Sequence, residues 1–209
     1  MSKVETYTKL AINIANDNSH GYSQVHRWNN PDFDCSSLVI YCVEKSGIPV
    51  KTKGATYTGN MLSVFKKCGF KDVTSKVNLK TGAGLKRGDI LLNTSHHTEI
   101  YIGNGRNVGA HIDERGGVKG SKVGDNTGKE ICTNNYYNYP WTNVLRYEES
   151  EGSTMTTTDI TNKTLTGDEI ITTLAKEVIK DKYGSGATRK KKLGKLYTLV
   201  QSKVNELLK

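Results

Sequence analysis

The sequence is short of several features that would assign it to a broad class at once. No run of apolar residues approaches the roughly 20 that a membrane helix requires. The opening segment MSKVETYTKLAINIANDN has no basic start followed by an apolar stretch, so it does not read as a signal peptide. Cysteine is sparse: Cys35, Cys42, Cys68 and Cys132 are the four, and no two form a C-x-x-C pair. That spacing disfavours a zinc ribbon or a dithiol redox site. The expectation is a chain made in a reducing cytosol with free thiols, which needs separate release if it acts outside. The motifs of RNA- and DNA-binding modules are missing too, and basic residues are not interleaved with aromatic ones. A nucleic-acid partner is therefore not expected, although the formal net charge is +9. Such a charge favours polyanions in general, including anionic lipid or an acidic wall polymer.

The 209 residues are enough for one ordinary domain plus a small module. With 35% hydrophobic residues and 21 glycines, the composition suits a loop-rich α+β protein better than a helical bundle. Residues 1–148 read as one mixed domain. Val4 to Ala15 has helical apolar spacing and runs into Asn16-Asp17-Asn18. SSLVIYCVEKSG reads as a helix stopped by Gly47, and Asn60 to Lys67 as a shorter one. After Gly88, DILL, TEIYIG, RNVGAHI and NVLRY are β-branched and aromatic runs broken by Gly and Asn, which predicts an antiparallel sheet. Helices first and strands later suggest segregated layers.

Residues 149–166, ESEGSTMTTTDITNKTLT, read as a Ser/Thr-rich linker. Residues 167–209 then read as three helices with ten Lys/Arg against five Asp/Glu. No second copy of this module is seen. The run Arg189 to Lys192 is either a solvated helix face or a contact surface.

The strongest local signal is NPDFDCSSLVIYCVEKSG. Cys35 stands where a loop becomes a helix, with Asp34 placed to cap it and Ser36 and Ser37 in the first turn. A helix N-terminus carries about half a positive charge, which favours a thiolate, the nucleophilic form of cysteine. Cys42 and Cys68 read as core residues. A nucleophilic thiol needs a base, and SHHTEIYIGNG supplies one at the start of a strand. His96 and His97 point to opposite faces because strand side chains alternate, so only one faces Cys35. A third group should orient the imidazole. His111 is the leading candidate and Glu99, on the face of His97, the backup. Register decides: a three-residue Gly103-Asn104-Gly105 loop sets 97 opposite 111, whereas a two-residue Asn-Gly loop sends them to opposite faces. Adjacent histidines that point apart make a poor metal site, so no metal is expected. Asp32 and Asp34 form a D-x-D better explained by turn and capping roles than by calcium.

DCSSLV, then RGDILL about 50 residues later, then HTEIYIGNG, together resemble the NlpC-type papain-like cysteine peptidases. Phage peptidoglycan hydrolases and cysteine/histidine-dependent amidohydrolases share this arrangement. The resemblance spans roughly residues 18–148. It implies a papain-like core, Cys35 as nucleophile and His97 as general base, without a cofactor. It implies that Tyr22 shapes the oxyanion site. The family often has a third polar residue twelve positions after the histidine; here that position is Gly109, and His111 is the substitute.

The C-terminal residues resemble the cell-wall-binding repeat of some phage lysozymes, which implies a ligand-facing role for Arg189 and a core role for Tyr183. The family's Trp is replaced by Tyr183 and its Asn by Ser185. The expected function is that of an endolysin: hydrolysis of peptidoglycan amide bonds, as an endopeptidase or as an N-acetylmuramoyl-L-alanine amidase. The expected partner is peptidoglycan, reached after release from the host cytoplasm, with homo-oligomer formation through the C-terminal helices left open.

Overall fold

In the computed structural model, residues 2–149, 167–180 and 182–208 are described. The linker expected at 149–166 falls outside them apart from Glu149. The chain divides into two compact units, residues 1–150 and 151–209.

The first unit is α+β. Its helices are α1 (Lys3–Ala15), α2 (Cys35–Lys45) and α3 (Thr58–Lys67). Its strands are β1 (Phe70–Asp72), β2 (Ile90–Asn93), β3 (His97–Gly103), β4 (Arg106–Ala110), β5 (Ile131–Asn135) and β6 (Asn143–Tyr147). All pairings are antiparallel, in the order β1-β6-β2-β3-β4-β5. The two-residue period of a strand sorts the side chains. Ile90, Leu92, Ile100, Val108, Ala110, Ile131 and Leu145 point to the helices and join Tyr7, Ala11, Leu38, Val39 and Cys42 in the main core. Leu91, Tyr101 and Val144 point the other way, into a second cluster with Trp141, Tyr136, Tyr137 and Tyr139. Burying apolar surface on both faces is what holds a sheet with helices on one side only.

α1 begins at Ser2, whose hydroxyl accepts the Glu5 N–H, and buries Tyr7, Ala11 and Ile14 along one stripe. The Tyr7 hydroxyl donates to the Gly88 carbonyl at 2.6 Å, tying the helix to the turn before β2. The segment from His111 to Glu130 has no regular structure. Its backbone N–H groups are met by carboxylates instead, as buried donors must be. Asp113 accepts from Arg115, Gly117 and Gly120; Asp125 from Thr127, Lys129, Glu130 and Ile131. Glu130 accepts from Tyr22 and Asn126, and Asp32 from Gly21 and Gly124, which ties this loop to the one before α2. Asp32 is thus a turn residue, and its Oδ1 serves two N–H groups.

In the second unit, α4 (Gly167–Ile179), α5 (Gly186–Leu193) and α6 (Tyr197–Leu207) bury Ala175, Val178, Leu193, Val200 and Val204 together, with Tyr183 packed against them. No described helix is long and apolar enough to cross a membrane.

Candidate active site

Asp34 caps α2 as its position in the sequence suggested. Its Oδ1 accepts the Ser37 N–H at 2.6 Å, and the Ser37 hydroxyl accepts the Asp34 N–H at 2.9 Å, a capping box. This fixes Cys35 as the first residue of the helix, where the orphan N–H groups and the dipole favour an anion. A carboxylate beside a thiolate works against that benefit. Arg27 offsets it: its Nη1 donates to Asp34 Oδ2 at 2.8 Å and also reaches the Thr56 carbonyl. Arg27 was not picked out from the sequence, because its loop carries no periodic signal. The next residue, Trp28, has φ +77°, unusual for a bulky side chain. Lys51 and Arg27 lie over its ring at 4.2 and 5.1 Å and hold it there.

The β3–β4 hairpin reaches the register expected of the three-residue loop, but with a shorter turn. The turn is a two-residue Asn104-Gly105, both with positive φ, between paired Gly103 and Arg106. A bulge between Tyr101 and Gly103 then shifts the pairing by one residue, giving Tyr101↔Asn107 and Ile100↔Val108. That register carries His97 and His111 to one face.

His97 comes near the Cys35 thiol, close enough for the sulfur to raise the pKa of its ring. His96 does not: it is exposed in the preceding turn, and only its carbonyl nears Cys35 Sγ, at 4.0 Å. Nε2 of His97 is 3.1 Å from Glu99 Oε1. Burial opposes a charged His97 ring, but the contacts with Cys35 and Glu99 outweigh it and hold its pKa at about 9. Glu99 is fully buried, and burial pushes its carboxyl up; the two imidazoles and the Tyr137 hydroxyl, which donates at 2.7 Å, outweigh that and keep it below the ordinary range.

His111, the leading third candidate, makes no hydrogen bond to His97. Its Nδ1 stands 3.7 Å from Glu99 Oε1, its Nε2 meets Asn134 Nδ2 at 3.0 Å, and burial lowers its pKa. The group in contact with His97 is the backup, Glu99. Gly109 shows why. A Cβ there would sit 2.6 Å from Glu99 Cγ, so the Glu99 side chain fills the space a residue at 109 would occupy.

Tyr22 is buried beside the thiol. Burial raises its phenol, and the charge of Cys35 raises it further. His97 also stacks on Trp141 and meets Tyr139 edge-on. These aromatics belong to NNYYNYPWTN, a dense cluster that could have been noticed in the sequence. An open cavity of 390 Å³ lies over Cys35, walled by Gln24, Arg27, Tyr57, Ser95 and His96 among others. Within the site, His97, Glu99 and His111 offer donor atoms all within 4.8 Å of one another, a set that could hold a metal ion. In the second unit, Arg189 Nε donates to the Gly184 carbonyl at 2.8 Å and Nη1 to Gln201 Oε1 at 3.2 Å.

A cysteine at a helix start, near a histidine from the neighbouring antiparallel sheet, marks a candidate thiol site in an α+β domain. Residues 29–108 and 107–164 match the endolysin-like domain, and the chain belongs to that family. Residues 172–208 match the CW_7 repeat. No curated protein matches the chain. Among solved structures it is similar to a mutated form of the resuscitation promoting factor interacting protein RipA, with 17% identity, TM-score 0.43 and coverage of 69% of this chain and 63% of that one. It is similar to the peptidoglycan hydrolase RipB of Mycobacterium tuberculosis, with 19% identity, TM-score 0.42 and coverage of 70% and 67%. It is also similar to NlpC1 of Trichomonas vaginalis, with 16% identity, TM-score 0.37 and coverage of 67% and 43%. The chain thus spans less than two thirds of the RipA and NlpC1 chains.

Proposed function

We propose that this protein is a phage-type endolysin that hydrolyses amide bonds of bacterial peptidoglycan with Cys35 as nucleophile. The observation that carries the reading is Cys35 at a helix start under an open cavity, with His97 beside it and Glu99 hydrogen-bonded to the ring. His97 Nδ1 takes the thiol proton, and the thiolate sulfur attacks the amide carbonyl carbon. The carbon–nitrogen bond breaks as the imidazolium returns its proton to the leaving amine. Water, deprotonated by His97, then releases the thioester as a carboxylate. The Cys35 backbone N–H, at the helix start, would hold the oxyanion; losing such a donor costs on the order of 3 kcal/mol of barrier. Glu99 keeps the ring oriented and its positive charge compensated. Endopeptidase action on the stem or cross-bridge peptide is the favoured specificity; amidase action at the lactyl–L-alanine bond uses the same groups. The basic second unit would hold the enzyme on the wall, with Arg189 toward a muropeptide carboxylate or amide.

The test is Cys35→Ala in the full chain, assayed on purified walls, with the new chain ends identified by mass spectrometry. Loss of lysis with wall binding retained is expected. Undiminished lysis by that variant would remove the nucleophile from the proposal.

A further inference from the structure

We propose that His97, Glu99 and His111 form a binding site for a divalent transition ion, zinc above all, and that its occupancy switches the thiol chemistry off. The switching half of this proposal rests on the function proposed above; the binding half does not.

The donor set comes first. Nε2 of His97 and Nδ1 of His111 lie 3.1 and 3.7 Å from the same oxygen, Glu99 Oε1. A tetrahedral zinc ion with bonds of about 2.0–2.1 Å separates its ligand atoms by about 3.3 Å. Both nitrogens already stand near that spacing from the carboxylate, and all three donor atoms lie within 4.8 Å of one another. Two imidazoles and one carboxylate suit zinc and its neighbours, whereas calcium and magnesium prefer all-oxygen cages.

An independent observation points to a cation. Glu99 is completely buried, and its second oxygen, Oε2, has no hydrogen-bond partner among the described residues. A buried carboxylate oxygen without a donor is costly, and a cation is one remedy. The outer groups fit as well. Asn134 meets the far nitrogen of His111, and Tyr137 donates to Glu99, the kind of support that orients metal ligands. The His97 and His111 side chains keep 13% and 21% of their surface exposed, so an ion can reach them.

The consequence follows from the ring's two nitrogens. A metal on Nε2 displaces the proton that Nε2 shares with Glu99. From the imidazolium, that proton leaves to solvent and the ring keeps the one on Nδ1; giving it to a leaving amine would then leave a metal-bound imidazolate, a far poorer proton donor than an imidazolium. In the mechanism proposed above Cys35 uses the Nδ1 side, and it is not one of the three ligands. Binding therefore silences the ring's proton transfer without touching the nucleophile.

Isothermal titration of the full-length protein with zinc chloride tests this apart from activity. A single zinc ion per chain is expected at micromolar concentration. Glu99→Gln and His111→Ala should each weaken it by more than about tenfold, with circular dichroism to show that both variants fold. Should either unfold, cobalt(II) added to the wild-type chain gives a second reading: a visible tetrahedral band without a thiolate charge-transfer band is expected. Cys35→Ala should bind zinc as the wild type does. In wall lysis, zinc should inhibit and chelator restore. No binding by the wild type, or binding lost in Cys35→Ala but kept in both other variants, overturns the site. Binding as described, with lysis that requires zinc and survives Cys35→Ala, overturns both the switch and the thiol mechanism while leaving the site.

Discussion

His97 Nε2 and Glu99 Oε1 are 3.1 Å apart, and the glutamate is wholly enclosed. The pair fixes the ring's tautomer and supplies part of the charge that holds the His97 pKa at about 9. Glu99→Gln keeps the shape but removes the charge. Lysis should fall by about 10²- to 10⁴-fold, the range seen when an acid–base residue loses its orienting partner. The alkaline limb of the pH profile reports loss of the imidazolium proton. Without the carboxylate the imidazolium is less favoured, so that limb should move to lower pH. Turbidity assays across pH in the presence of chelator check both; a profile unmoved in Glu99→Gln would mean the carboxylate does not set the charge of the ring.

The fit of Glu99 over Gly109 gives a second expectation. Adding a methyl at 109 drives a Cβ to 2.6 Å from Glu99 Cγ, so Gly109→Ala should destabilise by about 1–3 kcal/mol, the usual cost of overpacking. Trimming the opposing side chain should relieve it. In the cycle with Glu99→Ala, the double variant should be more stable than the sum of the single losses by at least about 0.5 kcal/mol, the mark of touching residues. Thermal denaturation of the four proteins provides the measurement, and strict additivity would argue against the steric account.

The helices of the first unit, four of its six strands and the pair Cys35 and His97 were legible because each rests on local physics: apolar spacing, a cap, a strand following a turn. β5 was not. Its sequence ICTNN alternates poorly and is only half-buried at three of its five positions, since it closes the sheet at an edge. β1 has three residues, too few for a period to show. The third member of the site was ambiguous because the bulge before Gly103 offsets the short turn, and a bulge leaves no clear mark in sequence. The carboxylate-held loop from His111 to Glu130 was equally opaque: Asp113 and Asp125 gather nearby N–H groups without any period, and the loop is tied to the rest by Asp32, 92 residues before its partner Gly124.

Arg27 offers a third test. Its partner Asp34 is almost wholly buried, while Arg27 itself is partly exposed. Arg27→Gln would leave the capping carboxylate without its cation, next to the thiol. A partly screened pair of this kind should cost about 1–2 kcal/mol of stability, below the figure for a fully buried one. The uncompensated charge should also disfavour the thiolate and lower lysis by roughly tenfold. Arg27→Lys, which keeps the charge without the second reach to Thr56, should recover most of the activity. Melting curves and rates of thiol alkylation separate the two effects; alkylation at the wild-type rate in Arg27→Gln would show that the ion pair serves the fold alone.

Arg189 does two things that can be separated. Inside its unit it braces the Gly184 turn against Gln201 on α6. In the proposed function it also meets the wall. Gln201→Ala removes part of the brace and none of the charge, so it should cost about 1 kcal/mol and leave co-sedimentation with purified walls intact below the melting point. Arg189→Ala removes both, and should lose binding as well as stability. Arg189→Lys keeps the charge but not the planar fork that pairs with carboxylates, so it should bind walls more weakly than the wild type. If Arg189→Ala pelleted with walls as fully as the unaltered chain, the basic run at Lys190–Lys192, or another surface of the three helices, would have to carry the attachment instead.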